Sequence, residues 1–218
     1  MAGQLAAGIA HEIRNPLTSL KGFSKLLRAA SGEQAERYYG IMDKEFVRIE
    51  MILSELLVLA KPQAATYRAW DVRLIVQEVV DLLGSQAILN NVVIHTELTS
   101  CDCAIRCESN QLKQVFMNLV KNAIEAMPAG GPLSVRVTRD LEDVFVRVAD
   151  RGAGIPRDKL QRIGEPFFTT KDKGTGLGLM VSYQIIEEHK GSIGFESKEG
   201  EGTTVSVRLP YLKPEERA

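Results

Sequence analysis

The apolar residues of this chain change period at Pro62, and that change limits what each half can fold into. Before it, Leu5, Ile9, Ile13, Leu17, Leu20 and Leu27 form one series, and Ile41, Phe46, Ile49, Leu53, Leu56 and Ala60 a second. Most are three, four or seven apart, the spacing that puts side chains on one helix face. The series break at Ala29-Ala30-Ser31-Gly32. Ser31, with Gln34 three residues later, reads as a capping box that starts a second helix, and Pro62 stops that helix after Lys61. The prediction is a helical hairpin with arms each roughly 40 Å long. Two helices cannot cover both sides of such stripes, whereas a second hairpin completes a four-helix bundle. Residues 1–61 are therefore expected to form a homodimer.

Residues 62–70 (PQAATYRAW) read as a linker. Over 71–213 the periods mix, with helices expected at 72–89, 111–126 and 178–189, and strands at 92–98, 133–139, 144–150, 192–197 and 203–209. Alternation in Val135 and Val137, in Val144, Val146 and Val148, and in Val205, Val207 and Leu209 places one strand face under helices. No strict strand–helix–strand repeat occurs. The expected class is α + α/β, a helical hairpin followed by a two-layer α/β sandwich with a mixed sheet, with residues 214–218 as a tail.

Composition narrows the function. Lys and Arg number 27 against 28 Asp and Glu, which leaves no charge excess for nucleic acid or an anionic membrane. No run approaches the ~18 apolar residues of a membrane span, and MAGQLAAGIAHE lacks the basic region and apolar core of a signal peptide. The stretch reads as cytoplasmic. Cys101, Cys103 and Cys107 are spaced as closely as metal ligands, but with no fourth ligand or nearby histidine they read as structural or incidental thiols.

Four segments carry chemistry. In HEIRNPLTSLKGF, His11 and Asn15 share a helix face at i and i+4, Glu12 flanks them, and Pro16 interrupts the helix. A neutral imidazole can attack phosphorus with one nitrogen while an acceptor steadies the other, and Glu12 is the candidate acceptor. In QVFMNLVKNAIEAM, Asn118 and Asn122 sit four apart on an otherwise apolar face; they are core amides or oxygen ligands of the kind Mg²⁺ takes. In VADRGAGIP, Asp150 ends a strand and Gly152 and Gly154 follow. This is a strand-end turn, or a carboxylate that accepts from an exocyclic amine while glycines let a base lie against backbone. In KDKGTGLGL, Gly174, Gly176 and Gly178 open a helix whose free N–H groups suit a triphosphate. The glycine spacing fits neither the Walker loop nor a dinucleotide fingerprint.

Together these segments resemble the H, N, G1 and G2 boxes of the sensor histidine kinases, and EPFFTTK before the last resembles their F box. All five occur once, in family order, across residues 11–179. The resemblance implies a dimeric phosphotransfer hairpin and a Bergerat-type ATP-binding sandwich shared with type II topoisomerases, mismatch-repair ATPases and one chaperone family. Carried over by position, His11 takes phosphate, Glu12 is the general base, and Asn15 positions water for dephosphorylating the partner. Asn122 is the Mg²⁺ ligand, Asn118 lies by the phosphates, and Asp150 reads adenine beside Gly152 and Gly154. Phe167, Phe168, Lys171 and Lys173 belong to a lid over ATP, and Gly174, Thr175, Gly176, Leu177 and Gly178 to the phosphate loop. Glu125 departs from the Lys or His common there.

The implied reaction is ATP-dependent autophosphorylation of His11, followed by transfer to an aspartate of a response regulator receiver domain. GIAHEIRNPLTSLKGF and NAIEAMPAGG look most like the sporulation kinases of endospore-forming bacilli, which implies phosphorelay control and inhibition by small helical proteins docking on the hairpin. The alternatives are a nitrogen-regulation-type kinase and phosphatase, or an ATPase clamp without phosphotransfer. A start ten residues before His11 reads as the core of a longer protein whose missing sensor region can carry a membrane anchor. His95 and His189 receive no function, although a partly cationic His189 would suit the helix end before it.

Overall fold

The computed structural model describes residues 2–28, 30–60, 66–169 and 176–217. It divides into two compact units, residues 1–62 with 165–178, and residues 63–164 with 179–218.

In the first unit, α1 (Ala2–Leu27) and α2 (Glu33–Ala60) form the expected hairpin. Leu20 and Ile52 are buried, and the Phe23 and Tyr38 rings meet at 5.5 Å. Two local expectations change. Helix α1 runs unbroken through Pro16; one lost hydrogen bond does not end a long helix held by its packed face. Gly32, not Ser31, takes the capping place of α2. Its carbonyl accepts from the Ala35 and Glu36 N–H groups at 3.1 and 3.2 Å, while the Gln34 amide donates to the Tyr38 hydroxyl.

The second unit contains β1 (Arg68–Asp71), α3 (Val72–Leu89), β2 (Val92–Leu98), β3 (Ala104–Cys107), α4 (Ser109–Glu125), β4 (Gly131–Arg139), β5 (Asp143–Ala149) and α5 (Arg157–Leu160). It continues with α6 (Gly178–Glu188), of which Gly178 alone is grouped with the first unit, β6 (Ser192–Lys198) and β7 (Gly202–Pro210). The main sheet has the order β2-β4-β5-β7-β6, and only the β2–β4 pair is parallel. Its buried face carries Leu133, Val135, Val137, Val144, Val146, Val148, Val207 and Leu209. Helices α3, α4 and α6 supply Ile75, Val79, Phe116, Leu119, Val181 and Ile186 to the same core. The two-layer sandwich with a mixed sheet is therefore present.

A two-stranded ribbon stands where part of the linker was expected. Residues 68–70, read as linker, are in β1, which pairs antiparallel with β3. β3 passes through the cysteine-rich run, and Cys103 and Cys107 are buried there as small apolar side chains. Helix α4 begins two residues before its expected start because the Glu108 carboxylate caps it, accepting from the Asn110 and Gln111 N–H groups. In the tail, Pro214–Glu216 form a 3-10 turn, and just before it the Leu212 N–H donates to the Ala104 carbonyl.

Candidate nucleotide and phospho-acceptor sites

In the second unit the folded chain joins two of the sequence segments at one corner. Asn118 and Asn122 lie on successive turns of α4, and the Asn122 Nδ2 donates to Asn118 Oδ1 at 3.3 Å. The Asn118 Nδ2 donates in turn to Ser182 Oγ on α6 at 3.0 Å. The Ala126 carbonyl, at the end of α4, accepts from the Ala153 N–H at 3.2 Å. That contact ties the Asp150–Gly154 loop to the helix bearing the asparagine pair.

Asp150 is 9% exposed. Its Oδ1 accepts from the Gly152 N–H at 2.8 Å and the Thr203 N–H at 3.1 Å, so backbone donors fix the carboxylate plane. The glycines have a reason the sequence did not disclose. A Cβ on Gly152 would stand 2.3 Å from the Ala126 carbonyl oxygen. Gly154 has φ +66°, and a Cβ there would stand 2.1 Å from the Lys198 carbonyl oxygen. Both positions let the chain's own backbone close around Asp150.

The remaining candidates fall in the first unit or outside the described residues. The backbone places His11 and Glu12 within α1, with Asn15, whose side chain is exposed, one turn after His11. Gly176, Leu177 and Gly178 belong to this unit, as do Phe167 and Phe168. Phe167 has φ +64°, and its N–H donates to the Gly176 carbonyl at 3.2 Å. Lys171, Lys173, Gly174 and Thr175 lie outside the described residues.

Ser182 is the residue that sequence reasoning passed over. Its signal was a serine on the buried face of a helix otherwise lined by Val181, Ile185 and Ile186. His189 also differs from expectation. It is buried, its Nδ1 lies 2.7 Å from the Ile185 carbonyl, and its Nε2 accepts from the Glu108 N–H at 3.1 Å. Burial lowers its pKa, against the Ile185 carbonyl and the Glu188 and Glu108 carboxylates, so the ring is neutral rather than partly cationic. Burial likewise pushes the Cys107 thiol up to about 12, consistent with a structural thiol. Among the described residues no group of three or more His, Cys, Asp or Glu is placed to hold a metal. A cleft of about 420 Å³ lined by Tyr67, His189 and Tyr211 touches none of the motif residues.

Known proteins match this arrangement. Residues 1–65 match the His Kinase A (phospho-acceptor) domain family, and residues 107–213 match the histidine kinase-, DNA gyrase B- and HSP90-like ATPase family. Sporulation kinases E and A of Bacillus subtilis (strain 168) are each 51% identical over 211 residues, 96% of this chain. The chain spans only 29% and 35% of their lengths. The histidine kinase ThkA, solved in complex with the response regulator protein TrrA, superposes with a TM-score of 0.82 at 31% identity, covering 99% of this chain and 63% of ThkA. No helix among the described residues is long and apolar enough to cross a membrane. Two family matches in tandem, and relatives at this identity over nearly the whole chain, place it among the histidine kinases, as their phospho-acceptor and ATPase portions.

Proposed function

We propose that this chain phosphorylates its own His11 from ATP and passes the phosphoryl group to an aspartate of a response regulator. The observation that carries the reading is the joining, in one chain, of a phospho-acceptor hairpin and an ATPase sandwich, each bearing its motif residues. One imidazole nitrogen of His11 attacks the γ-phosphorus as the bond to the β,γ-bridging oxygen breaks and ADP departs. Glu12 accepts the ring proton, which keeps the attacking nitrogen nucleophilic.

At the nucleotide end, Asp150 is the candidate acceptor for the adenine amine, its carboxylate held in place by the two backbone N–H groups on Oδ1. The donor set fits Mg²⁺: with Nδ2 turned to Asn118, Asn122 can offer a metal its oxygen. Bound Mg²⁺ would offset phosphate charge, and the protein's part is then positioning. Gly174, Thr175, Gly176, Leu177 and Gly178 are proposed to cradle the phosphates, and Lys171 and Lys173 to add positive charge.

Tyr39, Phe46 and Leu53 recur every seven residues on α2 and are 51, 52 and 46% exposed, which supports a homodimer through residues 1–61. Identity with the sporulation kinases supports a sporulation phosphorelay as the setting, with small inhibitory proteins docking on the hairpin. Asn15, exposed one turn from His11, supports phosphatase action on the partner as well. Incubation with Mg²⁺ and γ-labelled ATP should put acid-labile, base-stable label on the parent and none on His11→Gln. Label retained by that variant would remove His11 from the site.

A further inference from the structure

The asparagine pair poses an orientation problem that the motif residues do not solve by themselves. A carboxamide presents oxygen or nitrogen depending on a half turn about its last bond. Two carboxamides in series must run the same way. If Asn118 turned over, its Nδ2 would face Asn122, which would then direct its own oxygen toward Asn118 and present nitrogen instead. A nitrogen donor is useless to Mg²⁺, which takes oxygen ligands.

We propose that Ser182 is the positioning residue that sets this direction, an inference that rests on the nucleotide reading given above. Ser182 is 1% exposed, and its Oγ stands 3.0 Å from Asn118 Nδ2 as acceptor. A hydroxyl inside a helix commonly gives its proton to a carbonyl one turn back, which leaves lone pairs for a neighbour. With its nitrogen held by Ser182, Asn118 turns Oδ1 to Asn122 Nδ2 at 3.3 Å, which directs the nitrogen of Asn122 toward Asn118 and its oxygen the other way. Ser182 touches neither nucleotide nor metal in this account; it acts through Asn118. It also links α6, which follows the glycine segment, to α4, which carries both asparagines.

The test measures ADP binding to the 218-residue chain by calorimetry, in Mg²⁺ and in chelator, for the parent, Ser182→Ala, Asn118→Ala and the double variant. Ser182→Ala should weaken binding about tenfold in Mg²⁺ and less than about twofold in chelator, because only the metal reads the amide direction. The double variant should bind no worse than Asn118→Ala alone, since both act through one contact. Ser182→Cys, whose sulfur is a weaker acceptor, should fall between, and it carries the test if the alanine variant does not fold. Equal losses with and without Mg²⁺, or additive losses in the double variant, would overturn the proposal and leave Ser182 a packing residue. A parent that binds no ADP would instead overturn the nucleotide reading.

Discussion

The hairpin and the sandwich are built from equally regular apolar patterns, yet only one closes its own core. In the sandwich, Val135, Val137, Val144, Val146 and Val207 are all 0 or 1% exposed. In the hairpin, Tyr39, Phe46 and Leu53 form a stripe just as regular and stay about half exposed. A sheet with one face under helices is complete in one chain, whereas a helix pair shields only the stripe between its members. Asp150 and the asparagine pair, whose side chains are held in direction by hydrogen bonds, lie in the closed unit. His11, the proposed nucleophile, lies on a helix of the open one.

The largest effect should come from attacking the open stripe. Phe46→Glu with Leu53→Glu would bury two unpaired charges per chain in a dimer, raising its dissociation constant at least about a thousandfold. Sedimentation should show a monomer at micromolar concentration, while MgADP affinity changes less than about twofold. A monomeric parent would break the comparison, because the hairpin would then be stable with its stripe in water.

The reverse experiment strikes the closed unit. In Gly154→Ala, a side chain must adopt φ +66° and meet the Lys198 carbonyl. The cost should be about 3 kcal/mol of stability in the unfolding transition that MgADP raises. The concentration-dependent transition of the hairpin should stay in place. If both transitions moved together, the two units would not be separate folding bodies.

The same contrast explains what the sequence could disclose. Helix α3 and strand β2 have the bounds that periodicity predicts, because each presents a long, regular apolar pattern to one core. The asparagine pair was legible for the same reason, as two amides at i and i+4 on an apolar face. The β1–β3 ribbon was not, since four-residue strands are held by each other's backbone and leave no pattern to count. The Glu108 cap escaped because glutamate is not among the usual capping residues. The roles of Gly152, Gly154, Ser182 and His189 depend on Ala126, Lys198, Asn118 and Glu108, which lie 26 to 81 residues away in sequence.

The smallest effect belongs to His189, whose neutral ring joins the start of α4 to the end of α6. His189→Ala leaves the Glu108 N–H without its acceptor and opens space beside Tyr67, whose ring lies 5.0 Å away, at a cost of about 2 kcal/mol. The pH dependence is gentler. Because the folded pKa lies below the unfolded 6.5, the unfolded chain binds the proton first as pH falls. The stability the neutral ring contributes is complete above about pH 6.5 and declines below it, by at most about 1.4 kcal/mol per pH unit for one proton. The MgADP-sensitive transition should therefore fall more steeply between pH 7 and pH 5.5 in the parent than in His189→Gln, which offers an amide to the same partners and does not titrate. Equal slopes would mean that the buried ring keeps an ordinary affinity for protons, and that the closed unit tolerates a charge where its core has room for none.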